Sequence, residues 1–198
     1  MPGLVSGITP DKGVNVRTMA ANIAMASNVA EYVEQHPVGQ FVFLSSDAVY
    51  DFGDKPVSED TQADLPNLYA VAKYAGERAL QSVADSKGFP LLVVRPTGIY
   101  GPGDTHGSYG PNRFVRTIVQ AGKVSIFGEG EELRDDVYLD DVVGLIVGLA
   151  AGGHTGVFNI VTGTSAPSAL SSAICAPSSP RRFRWRTCHH RAHHPSGI

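Results

Sequence analysis

Two short runs along the chain are apolar at every position, Phe41-Val42-Phe43-Leu44 and Leu91-Leu92-Val93-Val94. Runs without alternation predict strands buried on both faces, as in a parallel sheet covered by helices. Ahead of the first run, apolar residues recur at Val16, Met19, Ala20, Ile23, Ala26, Ala30 and Val33. That spacing predicts a helix between Val14 and Gln35, which Pro37 stops. Between the two runs a second helix carries Tyr69 and Lys73 and closes at Gly88, a C-cap glycine. A buried strand, a helix and a second buried strand make a βαβ unit with a right-handed crossover.

Further on, Asn112 to Ala121 predicts a short amphipathic helix, Val124 to Phe127 a strand, and Gly128 to Glu132 a turn. Val137 to Ala151 predicts a strongly apolar helix that returns to the core, followed by a last strand, Val157 to Val161. Glycine and proline mark three loops: Met1 to Lys12, Asp51 to Leu65 and Gly101 to Pro111. The third is long for a compact domain and reads as a substrate-facing loop. His106 within it is a candidate ligand or acid/base, or simply a surface histidine.

With 198 residues the chain suits one domain, or one domain with a small lobe. Its net charge of −3 hides an asymmetry. Residues 1–163 carry 11 basic and 19 acidic side chains, while residues 164–198 carry five arginines and no acid. An acidic body argues against a nucleic-acid surface on it. Two cysteines, both in the tail, imply no disulfide framework. No signal peptide and no apolar run long enough to span a bilayer is read, so cytoplasm is the expected compartment.

The candidate chemistry lies where the first strand ends, at Ser45-Ser46-Asp47-Ala48-Val49-Tyr50. Ligands of open α/β sheets sit beyond the carboxyl ends of the strands, where Ser46 falls. Tyr69 and Lys73 are four apart and share a helical face. A free tyrosine titrates near ~10 and is a poor base at neutral pH. A fixed ammonium beside it favours the phenolate, which makes the phenol a usable acid/base for an alcohol proton. The hydroxyl of Ser46 could hold the same substrate oxygen.

With these residues in place the sequence resembles the extended short-chain dehydrogenase/reductases, the NAD-dependent epimerase/dehydratase family. Ser45 to Tyr50 is similar to that family's serine signature, and Tyr69-Ala70-Val71-Ala72-Lys73 matches its Tyr-x-x-x-Lys. Arg95-Pro96-Thr97-Gly98-Ile99-Tyr100-Gly101-Pro102-Gly103 resembles its Arg-Pro segment, and Gly128 to Val142 its substrate-domain signature. The resemblance covers roughly Asn22 to Gly163 and implies the C-terminal half of a Rossmann-like α/β fold with a small α+β substrate lobe. The implied division is residues 1–100 in the Rossmann-like part and 101–156 mainly in the lobe, with helix 139–151 returning to the core. Residues 157–163 would be the last strand, and 164–198 a disordered tail.

The resemblance also implies roles. Ser46, Tyr69 and Lys73 would be catalytic. Asn22, Ser45, Tyr69, Lys73, Pro96 and Thr97 would face the cofactor, NAD or NADP. Ser46, Asp47, Ala48, Asn112 and Arg134 would face the substrate, a nucleotide-linked sugar or similar polyol. A guanidinium fork at Arg134 suits a diphosphate, although an ion pair with Asp135 or Asp136 fits the residues equally. Ala48 replaces the glutamate of sugar 4,6-dehydratases, so epimerase or reductase chemistry is expected over dehydration. No metal is implied, and pairing through the Tyr69 helix and the one before it is expected to give a homodimer.

Two departures qualify this. No glycine-rich dinucleotide turn opens a helix upstream of Ser46. The expectation is a truncated product, whose first apolar strand is left with an open edge, or an inactive remnant or partner-dependent subunit. Beyond Ser165 the chain turns to Ser, Pro, Arg and His, with Arg181 to Arg186 and Cys188-His189-His190. A metal tract, a basic arm and out-of-frame translation compete for this tail, and its composition fits the last best.

Overall fold

The computed structural model describes residues 15–51, 56–104, 110–127, 129–168 and 184–188. These fall into two compact units, one of residues 1–99 and 137–161, the other of 100–136 and 162–198. The loop expected before Lys12, His106, and the tail's Cys175, His189 and His190 lie outside the described residues.

The first unit is built on a parallel sheet of three strands, β1 (Phe41–Leu44), β2 (Leu91–Pro96) and, last in the chain, β7 (Gly156–Ile160), in the order β1-β2-β7. Phe41 pairs with Leu91 and Leu44 with Val94, while Leu92 pairs with Gly156 and Pro96 with Ile160. Successive residues of a strand point to opposite faces. Leu91 and Val93 of β2, with Phe41 and Phe43, therefore pack on one side against Ala30 of α1 (Val16–Gln35) and Leu80 and Ala84 of α2 (Leu68–Lys87). Leu92 and Val94, with Val42, Phe158 and Ile160, pack on the other against Val142 and Ile146 of α4 (Leu139–Ala151). Helices on both faces explain why Leu91–Val94 of β2 are apolar without alternation and why the strand is buried along its whole length. The first run departs from the expectation of full burial. β1 is half-buried and Leu44 is 42% exposed, because among the described strands β1 has a neighbour on one side only.

Both long helices start and stop where local chemistry dictates. Asn15 caps α1 through its side-chain oxygen, which accepts from Thr18 N at 3.0 Å. Asn67 does the same for α2, accepting from Ala70 N at 2.9 Å. Gly88 ends α2 in the left-handed region at φ +73°, its N–H donating to Ala84 O. The predicted helix from Val137 to Ala151 begins later than its apolar run, because Asp136–Tyr138 form a short strand, β6, before α4 opens at Leu139. Val137, Tyr138 and Leu139 are all apolar, but the backbone changes conformation at the third of them, which periodicity does not register.

Gly76 sets how closely α2 approaches the sheet. A methyl group there would stand 2.7 Å from Phe43 Cζ and 3.1 Å from Ala26 Cβ. Gly76→Ala gains about 1 kcal/mol in helix propensity and costs about 1–3 kcal/mol in overpacking. The expected result is net destabilisation, read as a lower denaturant midpoint.

The second unit has its own small core of Phe114 and Ile118 from α3 (Pro111–Ala121) and Val124 and Ile126 from β4 (Lys123–Phe127). Within it β4 pairs in parallel with Arg184–Cys188, and Leu133–Arg134 pairs antiparallel with Ala166–Pro167. The Asp135 carboxylate accepts from Thr162 N, Thr162 Oγ1 and Gly163 N at 2.8–3.1 Å. Of the tail expected to be disordered, the described part is thus in short strands, and the remainder lies outside the described residues.

Candidate active site

The end of β1 turns directly into a 3-10 turn, Asp47–Val49, and Ser46 caps it. Ser46 Oγ accepts from Ala48 N at 3.2 Å and donates to Asp47 Oδ1 at 3.2 Å, which fixes the hydroxyl just beyond the strand. The loop that follows is pinned back on this turn, since Val49 O accepts from both Asp64 N and Leu65 N. Leu65 pays for that with φ +56°.

Tyr69 stands in the first turn of α2, Lys73 in the second, and both lie on the face toward the sheet. The Lys73 ammonium is buried, 5.7 Å from the centroid of the Tyr69 ring and 6.0 Å from that of Phe43. It donates to the carbonyl of Leu44, the last residue of β1, at 3.0 Å. Burial holds the Lys73 pKa below its ordinary 10.5, and the negative charge of Glu77 works against that shift. The structure therefore brings an ammonium under the phenol ring at the mouth of the sheet, as the spacing predicts.

Because the folded pKa of Lys73 is depressed, the stability linked to it is fully present above 10.5 and is lost as pH falls through the folded value. Lys73→Met is expected to flatten the rise of stability with pH just below 10.5, which denaturation midpoints measured across that window would read.

Behind the pair lies a buried polar network that sequence reading missed. Arg95, at the end of β2, donates Nε to Glu77 Oε1 at 2.9 Å and Nη2 to Glu77 Oε2 at 2.5 Å, with both side chains about 6% exposed. Its Nη1 donates to Tyr50 Oη at 2.7 Å, and Tyr50 Oη donates to Asn159 Oδ1 at 3.0 Å. Ser45 is 3% exposed and its hydroxyl donates to Glu77. Burial alone would lower the Arg95 pKa, but the hydrogen bonds with Glu77 and Tyr50 outweigh it and hold the guanidinium above its ordinary range. Two signals were available: Glu77 continues the four-residue spacing of Tyr69 and Lys73, and an arginine closing a wholly apolar strand demands a buried counter-charge.

The other expected site residues are placed as follows. Pro96 ends β2, buried, opposite Ile160, and Thr97 donates N and Oγ1 to Ile160 O. Asn22 lies on α1, and among the described residues its buried Oδ1 has no hydrogen-bond partner. In the second unit, Asn112 Nδ2 donates to Gly101 O at 2.7 Å and Asp104 Oδ2 at 2.9 Å, holding the loop ahead of α3. Arg134 is half-exposed and paired with Glu132 at 2.6 Å. Asp136 is partly buried, which raises its pKa against the opposing charge of Arg134. No cluster of metal-ligating side chains occurs among the described residues, and none of their helices is long and apolar enough to cross a membrane.

The residues fit one end of a dinucleotide. A buried acceptor without a partner at Asn22, and an ammonium and phenol at the strand ends, suit a ribose and the ring attached to it. For the pyrophosphate, the sequence upstream of Ser46 offers no glycine-rich turn.

Comparison with known proteins gives the family. The sequence profile described as NAD dependent epimerase/dehydratase family matches residues 3–160. The UDP-glucose 4-epimerase of Mycolicibacterium smegmatis is 34% identical over 135 residues, which are 63% of this chain and 42% of that protein. The human dTDP-D-glucose 4,6-dehydratase is 31% identical over 127 residues, 63% of this chain and 36% of its own. Among solved structures, the UDP-glucose 4-epimerase of Thermotoga maritima with UDP-glucose aligns at a TM-score of 0.72 and 28% identity, over 86% of this chain and 58% of that one. The chain thus spans less than half the length of these two curated relatives.

Proposed function

The chain belongs to the NAD dependent epimerase/dehydratase family, and from that premise we propose that it serves the reversible oxidation of a hydroxyl on a nucleotide-linked sugar, in an epimerase or reductase. The observation that carries this reading is the Lys73 ammonium 5.7 Å from the Tyr69 ring and hydrogen-bonded to the carbonyl of Leu44, two residues before Ser46 at the end of a parallel strand. Tyr69 takes the proton from the sugar hydroxyl. Lys73 favours the phenolate by its charge, and Ser46 holds the oxygen that loses the proton. Asn22, Lys73, Pro96 and Thr97 hold the ribose and ring of the cofactor, with Ser45 contributing its backbone carbonyl because its hydroxyl is engaged by Glu77 and its N–H by Val94. NAD, when bound, supplies the hydride acceptor. Asp47, Ala48, Asn112 and Arg134 are assigned to the substrate. Ala48 has no acid/base group to offer an elimination, which favours epimerase or reductase over dehydratase.

A second reading has its own support. In it the chain is a partner-dependent subunit that does not bind NAD by itself, a reading supported by β1 being paired on one side only among the described strands. Titrating the protein with NADH and NADPH and following fluorescence separates the two. Saturable binding, weakened in Lys73→Ala by at least roughly tenfold, about 1.4 kcal/mol, supports the enzyme. A flat titration supports the subunit.

A further inference from the structure

Glu77 takes no part in the proton transfer proposed above, yet it is 4% exposed and both the Arg95 guanidinium and the Ser45 hydroxyl converge on it. We propose that Glu77 is the positioning residue of the Tyr69–Lys73 pair. Its carboxylate, clamped by Arg95 and Ser45, is the fixed negative charge that keeps the buried Lys73 ammonium charged. The proposal deepens the reading of the site given above and rests on it.

The geometry makes the carboxylate immobile. Arg95 grips both oxygens in a fork from the end of β2, and the Ser45 hydroxyl reaches one of them from the end of β1. Arg95 is in turn seated against Tyr50, its guanidinium 4.9 Å from the ring centroid. The helix places Tyr69, Lys73 and Glu77 one turn apart on a single face. The ionisable groups of the cluster are those three, Arg95 on β2, and Tyr50 after the 3-10 turn. On the other side of Lys73 stand the Leu44 carbonyl and the Phe43 ring, which are dipolar or apolar and bring no full charge.

A lysine taken out of water loses its proton readily unless a charge opposes the loss. A neutral amine would not make the phenol acidic, and the pair would be inert at neutral pH. The carboxylate one turn further along α2 supplies that opposition, and the fork from Arg95 stops it from swinging onto the ammonium as a direct ion pair. Lys73 is left free to point at the strand end and at Tyr69. A merely structural Glu77–Arg95 bridge would tie α2 to β2 with the same bonds, but the charge state of Lys73 would not depend on it.

The test follows the lysine directly. The full chain, labelled with 13C and 15N in its five lysines, is titrated by NMR, and Lys73 is identified by the signal lost in Lys73→Arg. In the wild type Lys73 is expected below the ordinary lysine range but charged at neutral pH. Glu77→Gln should lower its apparent pKa further by about one unit, and Glu77→Asp should restore most of that loss. Should Glu77→Gln not fold, the double variant Glu77→Met/Arg95→Met removes the carboxylate together with its own counter-charge, leaves the Lys73 ammonium as the buried charge, and takes the same measurement. A Lys73 titration that does not move in these variants overturns the proposal, as does a wild-type Lys73 already neutral at neutral pH. The readout needs neither cofactor nor substrate. A chain that fails to bind NAD therefore sinks the functional reading without deciding the role of Glu77.

Discussion

Arg95→Ala is expected to destabilise the first unit by about 3–5 kcal/mol, because it leaves a buried carboxylate unpaired. The guanidinium makes two hydrogen bonds to Glu77 and one to Tyr50, at 2.5–2.9 Å and nearly out of water. Removing it strips Glu77 of its counter-charge while leaving the carboxylate between α2 and the sheet. A small domain has only about 5–15 kcal/mol of stability in total, so this single loss takes a large share. The midpoint and slope of urea denaturation, followed by far-ultraviolet circular dichroism, would measure it. Arg95→Met/Glu77→Met, which removes both charges, should recover most of the loss. If Arg95→Ala costs no more than an ordinary surface substitution, the network is not the buried anchor the structure shows.

Tyr69→Phe is expected to lower turnover of a nucleotide sugar by about 10²–10⁴-fold, the usual worth of a positioned acid/base. The phenyl ring keeps its packing beside Lys73, so KM should change little. A loss confined to kcat marks an interaction made in the transition state alone. Steady-state kinetics at saturating NAD would read the split. Equal activity in Tyr69→Phe and wild type would remove the phenol from the mechanism and with it the central assignment.

The parts of this molecule that could be read from sequence are those whose signal is local. Phe41 to Leu44 and Leu91 to Val94 announce a sheet covered on both sides, and the helix between them carries its own stop at Gly88. Tyr69 and Lys73 were legible because helical spacing alone brings them to one face. What was not legible depends on partners distant in the chain. The exposure of Leu44 follows from the position of β1 in the sheet order, which no window of sequence contains. The strand Asp136–Tyr138 is hidden because its apolar residues run straight into those of α4. Arg95 and Glu77 lie 18 positions apart, one in an apolar run and one on a helix, and only folding makes them a pair. The partner of Arg134 escaped for the opposite reason. Three acids stand within two residues of it, and sequence does not rank them.

The Phe43 ring lies against both Gly76 and Lys73, with its Cζ 2.7 Å from where a methyl at 76 would stand and its centroid 6.0 Å from the ammonium. A hydrogen atom in place of a side chain thus governs the seat of a charged group on the preceding helical turn. Any variant that fills position 76 must trim position 43 to keep the helix at its present depth, and in doing so it takes away the aromatic floor beneath Lys73. Positions 43, 73 and 76 are therefore coupled, and a glycine that touches no substrate constrains what can stand around the lysine.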